Sequence, residues 1–153
     1  MAKKGDNDSL TITKKLAIFL TVFYAVYYLW SVVMVGAFGI DWSELGKYPF
    51  RIDKAEFNPA GDGGALGAWL SMVLTYLLCL ALAFFVVKQT KRTWDYVATT
   101  SLLHFVLCCL VNLAFPTNWI WWVTLIIVAA LVSVAAEFVI YWLIEMRDIE
   151  MDH

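Results

Sequence analysis

Four stretches of this chain are long and apolar enough to leave water altogether, and that restricts the folds open to it more than any other feature. Residues 16–40, 66–87 and 97–115 carry no Asp, Glu, Lys or Arg, and residues 119–144 carry one, Glu137. A helix of about 20 predominantly apolar residues crosses roughly 30 Å of hydrocarbon. Inside a bilayer every backbone N–H and C=O must be satisfied by the chain itself, which leaves helices or closed barrels. Barrel strands would alternate in segments of about ten residues; these runs are continuous and twice as long. The reading is all-α: a polytopic membrane protein, a four-transmembrane-helix bundle forming a single domain over 1–153.

Composition agrees. Hydrophobic residues make up 62% of the chain and charged residues 16%, against about 45–50% and 25% in soluble domains. The net charge of −2 and the absence of a basic patch with interleaved aromatics exclude a nucleic-acid partner. The longest segment between spans is 41–65, too short to bury a core of its own. A separate soluble catalytic domain is therefore not expected.

Lys and Arg set the orientation. Lys3, Lys4, Lys14, Lys15, Lys88, Lys91, Arg92 and Arg147 fall on one side, and Lys47, Arg51 and Lys54 on the other. Eight against three puts the N- and C-termini and the 88–96 loop in the cytoplasm and makes 41–65 a non-cytoplasmic loop. The first span reads as a signal anchor that stays in the membrane. All three cysteines, Cys79, Cys108 and Cys109, lie in spans, where a free thiol packs as a small hydrophobe. The Gly-rich run 61–67 reads as a flexible approach to the second span.

Three spans carry small or polar residues every fourth position: Gly67, Ser71, Thr75, Cys79 and Ala83; Thr100, His104, Cys108 and Asn112; Ala129, Ser133 and Glu137. Rows of this kind let membrane helices approach closely and hydrogen-bond. Bundle packing explains them; a polar site between the second, third and fourth helices is the functional alternative. The 116–118 turn makes the last two helices an antiparallel hairpin. Trp119, Trp121 and Trp122 suit an interfacial anchor at one end, and Tyr141 and Trp142 at the other. Glu137, shallow in the fourth span, needs a partner or a proton; Lys88, Lys91, Arg92 and Tyr96 are candidates. His104, at mid-span, lies at a different depth and is not expected to pair with it. Asn112 is expected to hydrogen-bond a neighbour.

Enzyme signatures are missing. His104 and His153 are the only histidines, too few for a His-based metal centre. No nucleophile elbow or phosphate-binding loop is present. No cofactor or metal is expected.

Trp94-Asp95-Tyr96, His104 eight positions after Tyr96, Phe115-Pro116, Trp121-Trp122 and Glu137 form an ordered set from the second span to the C-terminus. In this set the chain resembles the Sys family of four-span Golgi membrane proteins, and within it a poorly characterised sister branch. The resemblance implies residence in the Golgi membrane. It also implies a non-enzymatic receptor or scaffold in vesicle trafficking, one that recruits an Arf-like small GTPase. Lys88, Lys91, Arg92, Trp94 and Asp95, held between two helices, are the expected docking residues. An accessory subunit of a larger membrane complex, packed against other membrane subunits, is the alternative. Proton-coupled transport through Glu137 is a third.

Overall fold

The computed structural model describes residues 9–82 and 93–151. Four long helices make up the fold: α1 Ser9–Phe38, α2 Gly63–Leu82, α3 Thr93–Asn112 and α4 Trp119–Met151. Two short 3₁₀ turns, Trp42–Glu44 and Tyr48–Phe50, lie between α1 and α2. There is no strand among the described residues, and each long helix holds a segment apolar and long enough to cross a bilayer. The four-span helical fold predicted from the hydropathy pattern is the one observed.

Helix ends follow from local sequence. Gly39 takes φ +62° and Ile40 N–H donates to Val35 O at 3.0 Å, a Schellman closure that needs a left-handed residue just past the helix. Leu113 occupies the same kind of position after α3 with φ 50°, a conformation that costs a branched L-residue about 1–2 kcal/mol. The side chain of Asp62 accepts from Ala65 N–H at 2.8 Å and caps α2. Asn118 Oδ1 accepts from Ile120 N–H at 3.1 Å and caps α4. Each satisfies an N–H that has no intrahelical acceptor.

Around the bundle the order is α1, α2, α4, α3. The α1–α2, α2–α4 and α4–α3 pairs pack directly, whereas α1 and α3 stand further apart. Aromatic side chains fill that wider seam: Phe19 lies 6.2 Å from Tyr96, and Phe23 and Tyr27 reach His104. On α1 the buried row is Phe19, Phe23, Tyr27, Ser31 and Val35, all at most 2% exposed. On α2 it is Gly67, Ser71, Thr75 and Cys79, and on α3 Thr100, His104 and Cys108.

Three expectations change. The α4 row of Ala129, Ser133 and Glu137 is only half-buried; the stripe facing the core is Trp121, Leu125, Val132 and Ala136. Successive steps of four drift by roughly 40°, so a row picked by side-chain type can flank the true contact line. Trp121 is not an interfacial anchor: it is 1% exposed, in the core, while Trp119 is 65% exposed. The Gly-rich run is not a loose approach, because α2 already begins at Gly63 and Gly67 is buried within it. A Cβ on Gly67 would collide with Tyr48 Oη and stand 2.9 Å from Phe38 Cδ2.

The α1–α2 connection folds back over its end of the bundle. Tyr48, Pro49, Phe50, Ile52 and Phe57 are all buried. Tyr48, Phe50, Ile52 and Phe57 belong to the same core as the helices, so the connection, too short for a core of its own, completes theirs.

Candidate functional site

His104 is the centre of the polar interior. It is fully buried on α3, midway along the span. Its Nδ1 lies 3.2 Å from Tyr24 Oη and its Nε2 lies 3.6 Å from Cys108 Sγ, one turn along the same helix. Five aromatic rings surround the imidazole: Phe23, Tyr24 and Tyr27 from α1, Phe50 from the connection, and Trp121 from α4. Phe50 and Trp121 lie nearly parallel to it, at 29° and 25° with centroids 6.0 and 6.3 Å away. Both ring nitrogens face a polar atom, so the imidazole is satisfied without a further ligand. No group of three or more His, Cys, Asp or Glu able to hold a metal occurs among the described residues.

The cage is roofed by residues 46–64, and hydrogen bonds fix the roof. Asn112 Nδ2 donates to Phe50 O at 2.7 Å and to Cys108 O at 2.9 Å. Asn118 Nδ2 donates to Phe57 O at 2.9 Å. Tyr28 donates to Gly46 O at 3.1 Å, and Tyr48 to Gly64 O at 3.0 Å. The Arg51 guanidinium lies 4.7 Å above the Tyr48 ring and 3.7 Å from Glu44. Burial pushes the Tyr48 phenol up to about 12, and the Arg51 cation opposes this in part. The phenol therefore stays a donor to Gly64 throughout the physiological range. Hydrogen bonds from Ser43 hold the Asp41 carboxyl below its ordinary value, which keeps it an acceptor for Ser43 N–H at 2.9 Å.

The residues singled out from the sequence fall into separate places. His104 and Asn112 belong to the cage and its roof. Glu137 is half-buried on α4 and has no hydrogen-bond or ion-pair partner among the described residues; it is not among the contacts of His104. Lys88, Lys91 and Arg92, proposed both as its partners and as docking residues, lie outside the described residues. Trp94 is 54% exposed and Asp95 is exposed in the first turn of α3. Asp95 also lines a small notch with Ile12, Leu16, Tyr96 and Thr99.

The cage residues that went unforeseen are Tyr24, Tyr27, Phe50 and Trp121. The row Phe19, Phe23, Tyr27 was visible at helical spacing and marks the inner face of α1. Nothing local in the sequence indicated that Phe50, from a polar and acidic connection, would reach α3.

Compared with known proteins, residues 2–151 match the family SYS1, described as integral membrane protein S linking to the trans Golgi network. A stretch of 56 residues is 41% identical to Protein SYS1 homolog from the sea anemone Nematostella vectensis. That stretch is 37% of this chain and 35% of the relative, so the alignment spans about a third of the relative's length. No solved structure matches.

Proposed function

The chain belongs to the SYS1 family of multi-pass integral membrane proteins linked to the trans-Golgi network, and from that premise we propose that it is a non-enzymatic receptor recruiting an Arf-like small GTPase to that membrane. The observation that carries the reading is the family match over nearly the whole chain. Two structural features support it. The one histidine of the spans is enclosed by five rings and a roofing loop, which suits a packing centre better than a reaction centre open to substrate. At the other end of the bundle, Trp94 and Asp95 stand exposed at the start of α3. In the chain they follow the basic residues Lys88, Lys91 and Arg92, with Thr93 between.

In this proposal both termini and the α2–α3 connection face the cytoplasm, following the eight-to-three bias of basic residues. Trp and Arg are among the residues that contribute most binding energy at protein interfaces. The test reverses Lys91 and Arg92 to Glu together, and separately replaces Trp94 with Ala, in a tagged full-length chain. The expected outcome is loss of GTPase recruitment to the Golgi with protein level and location unchanged. Recruitment at the wild-type level in both variants would remove this surface from consideration. A tag at either end accessible only from the lumen would overturn the orientation.

A further inference from the structure

Between the α1–α2 connection and the first turn of α2 lies a cavity of about 420 Å³. This is within the roughly 300–1,000 Å³ range of small-molecule sites. Its charged lining is mixed: the guanidinium of Arg51 and the carboxylates of Glu56 and Asp62. Its apolar wall is Phe38 and Ile40. Phe38 ends one candidate span and Gly63 begins the next, so the cavity sits where the apolar segments stop, at the depth of lipid headgroups.

The guanidinium is held in place. The Arg51 side chain is 12% exposed, stacked at 4.7 Å on Tyr48, with Nη2 3.7 Å from Glu44. A Cβ built on Gly64 would lie 3.5 Å from Arg51 Nη1, 3.5 Å from Asp62 Oδ1 and 3.7 Å from Ile40 Cδ1. Gly64 therefore leaves open the space where cation, carboxylate and apolar wall converge. The Asp62 oxygen beside this space, Oδ1, accepts from Ala65 N–H at 2.8 Å, and a carboxylate oxygen keeps a second lone pair for another donor. Glu56 is exposed at the rim.

We propose that this cavity holds the headgroup of a zwitterionic phospholipid, one bearing a primary ammonium and no carboxylate of its own to meet Glu56 and Asp62, from the leaflet on the side of the connection, with its phosphate on Arg51 and its ammonium on Glu56 and Asp62. Three points select this ligand. A planar guanidinium matches phosphate oxygens. Two carboxylates against one cation favour a ligand that also carries a positive group, and disfavour one that is only anionic. A quaternary ammonium is recognised by aromatic faces; here the ammonium end meets carboxylates, which accept the N–H bonds that only a primary ammonium can donate. The apolar wall of Phe38 and Ile40 leads the acyl chains back toward the hydrocarbon.

The test uses the purified full-length chain in a nonionic detergent, titrated with dihexanoyl phosphatidylethanolamine, phosphatidylcholine and phosphatidylserine, and with soluble phosphoethanolamine. Binding is read as the concentration-dependent rise in unfolding temperature that a native-state ligand produces. The ethanolamine lipid is expected to bind about tenfold more tightly than the other two, the scale of one charge-assisted hydrogen bond. Glu56→Gln, a change at an exposed side chain, should abolish the preference over choline while the unliganded unfolding temperature stays put. Arg51→Gln should weaken all three lipids by about tenfold. Equal affinity for ethanolamine and choline lipids in the wild type would overturn the proposal, as would an unchanged preference in Glu56→Gln. Soluble phosphoethanolamine binding as tightly as the lipid would overturn the assignment to a membrane source.

Discussion

At the end of the bundle covered by the α1–α2 connection, Tyr28, Tyr48, Asn112 and Asn118 each donate to a main-chain carbonyl of residues 46–64. Toward the opposite end, the hydrogen bond between Tyr76 Oη and Ser101 Oγ at 2.9 Å joins α2 to α3, and the Phe19 and Tyr96 rings join α1 to α3. The difference is one of acceptor type. Among these acceptors, Phe50 O and Phe57 O belong to buried residues of the connection that no main-chain donor reaches among the described residues, so Asn112 or Asn118 cannot be removed without leaving a carbonyl bare. A pair of hydroxyls can lose one member and retain a local bond; Ser101 also donates to Val97 O in its own helix. Substitutions at the covered end should therefore cost folding, and those toward the opposite end should cost less.

The largest effect is expected at Gly67. A Cβ there meets Tyr48 Oη and the Phe38 ring, both buried or packed at the point where α1, α2 and the connection converge. Gly67→Val should destabilise by about 3 kcal/mol, the upper end of ordinary overpacking, and lower abundance in cells. Gly46, on the same connection, has nothing within 4 Å of its Cβ position, so Gly46→Ala should leave the denaturation midpoint in detergent where it was. Equal behaviour of the two variants would show that the connection does not pack on α2 as described.

A smaller contrast separates Asn112 from Tyr76. Asn112→Leu removes the donor to Phe50 O and should cost about 1–3 kcal/mol, the penalty for stranding a buried acceptor. Tyr76→Phe removes only one of two hydroxyls, leaves Ser101 its bond to Val97 O, and should cost about 0.5–1.5 kcal/mol. Midpoints for both in the same detergent measure the ratio. A Tyr76→Phe loss as large as that of Asn112→Leu would erase the distinction between the two ends.

That distinction also explains what could be read from the sequence. The spans were legible because hydrocarbon demands a long apolar run whatever the neighbours are. The α2 and α3 rows were legible because close approach of helices selects small and polar residues at a fixed spacing; Ser71, Thr75, Thr100 and His104 are all at most 1% exposed. The α4 contact line was missed because its core residues, Trp121, Leu125 and Val132, are of the same types that face lipid. Hydrophobicity does not distinguish the two faces when the solvent is itself apolar. The roof was missed because its pairings span 61 and 62 residues of sequence, from Asn118 to Phe57 and from Asn112 to Phe50. Nothing near Phe50 records that a side chain on α3 will satisfy its carbonyl.

The smallest effect is expected at Glu137, outside both sets of ties. Its carboxyl is half-buried beside Val134 and Phe138, which are each 69% exposed on the outer face of α4. A carboxyl at this depth needs a cation, a donor or a proton. If its role is to hold the edge of the bundle by hydrogen bonds, Glu137→Gln keeps an acceptor of the same shape and should stay within about 0.5 kcal/mol of wild type. Glu137→Leu deletes the acceptor and should cost about 1 kcal/mol by stranding its donor. If its role is to take up and release a proton, Gln is as damaging as Leu, because neither ionises, and protein level is normal in both. The expected order is wild type and Gln together, Leu below, in both abundance and trafficking activity. Equal loss of activity from Gln and Leu at wild-type abundance would place the chemistry of this chain on α4 and favour proton coupling over a receptor.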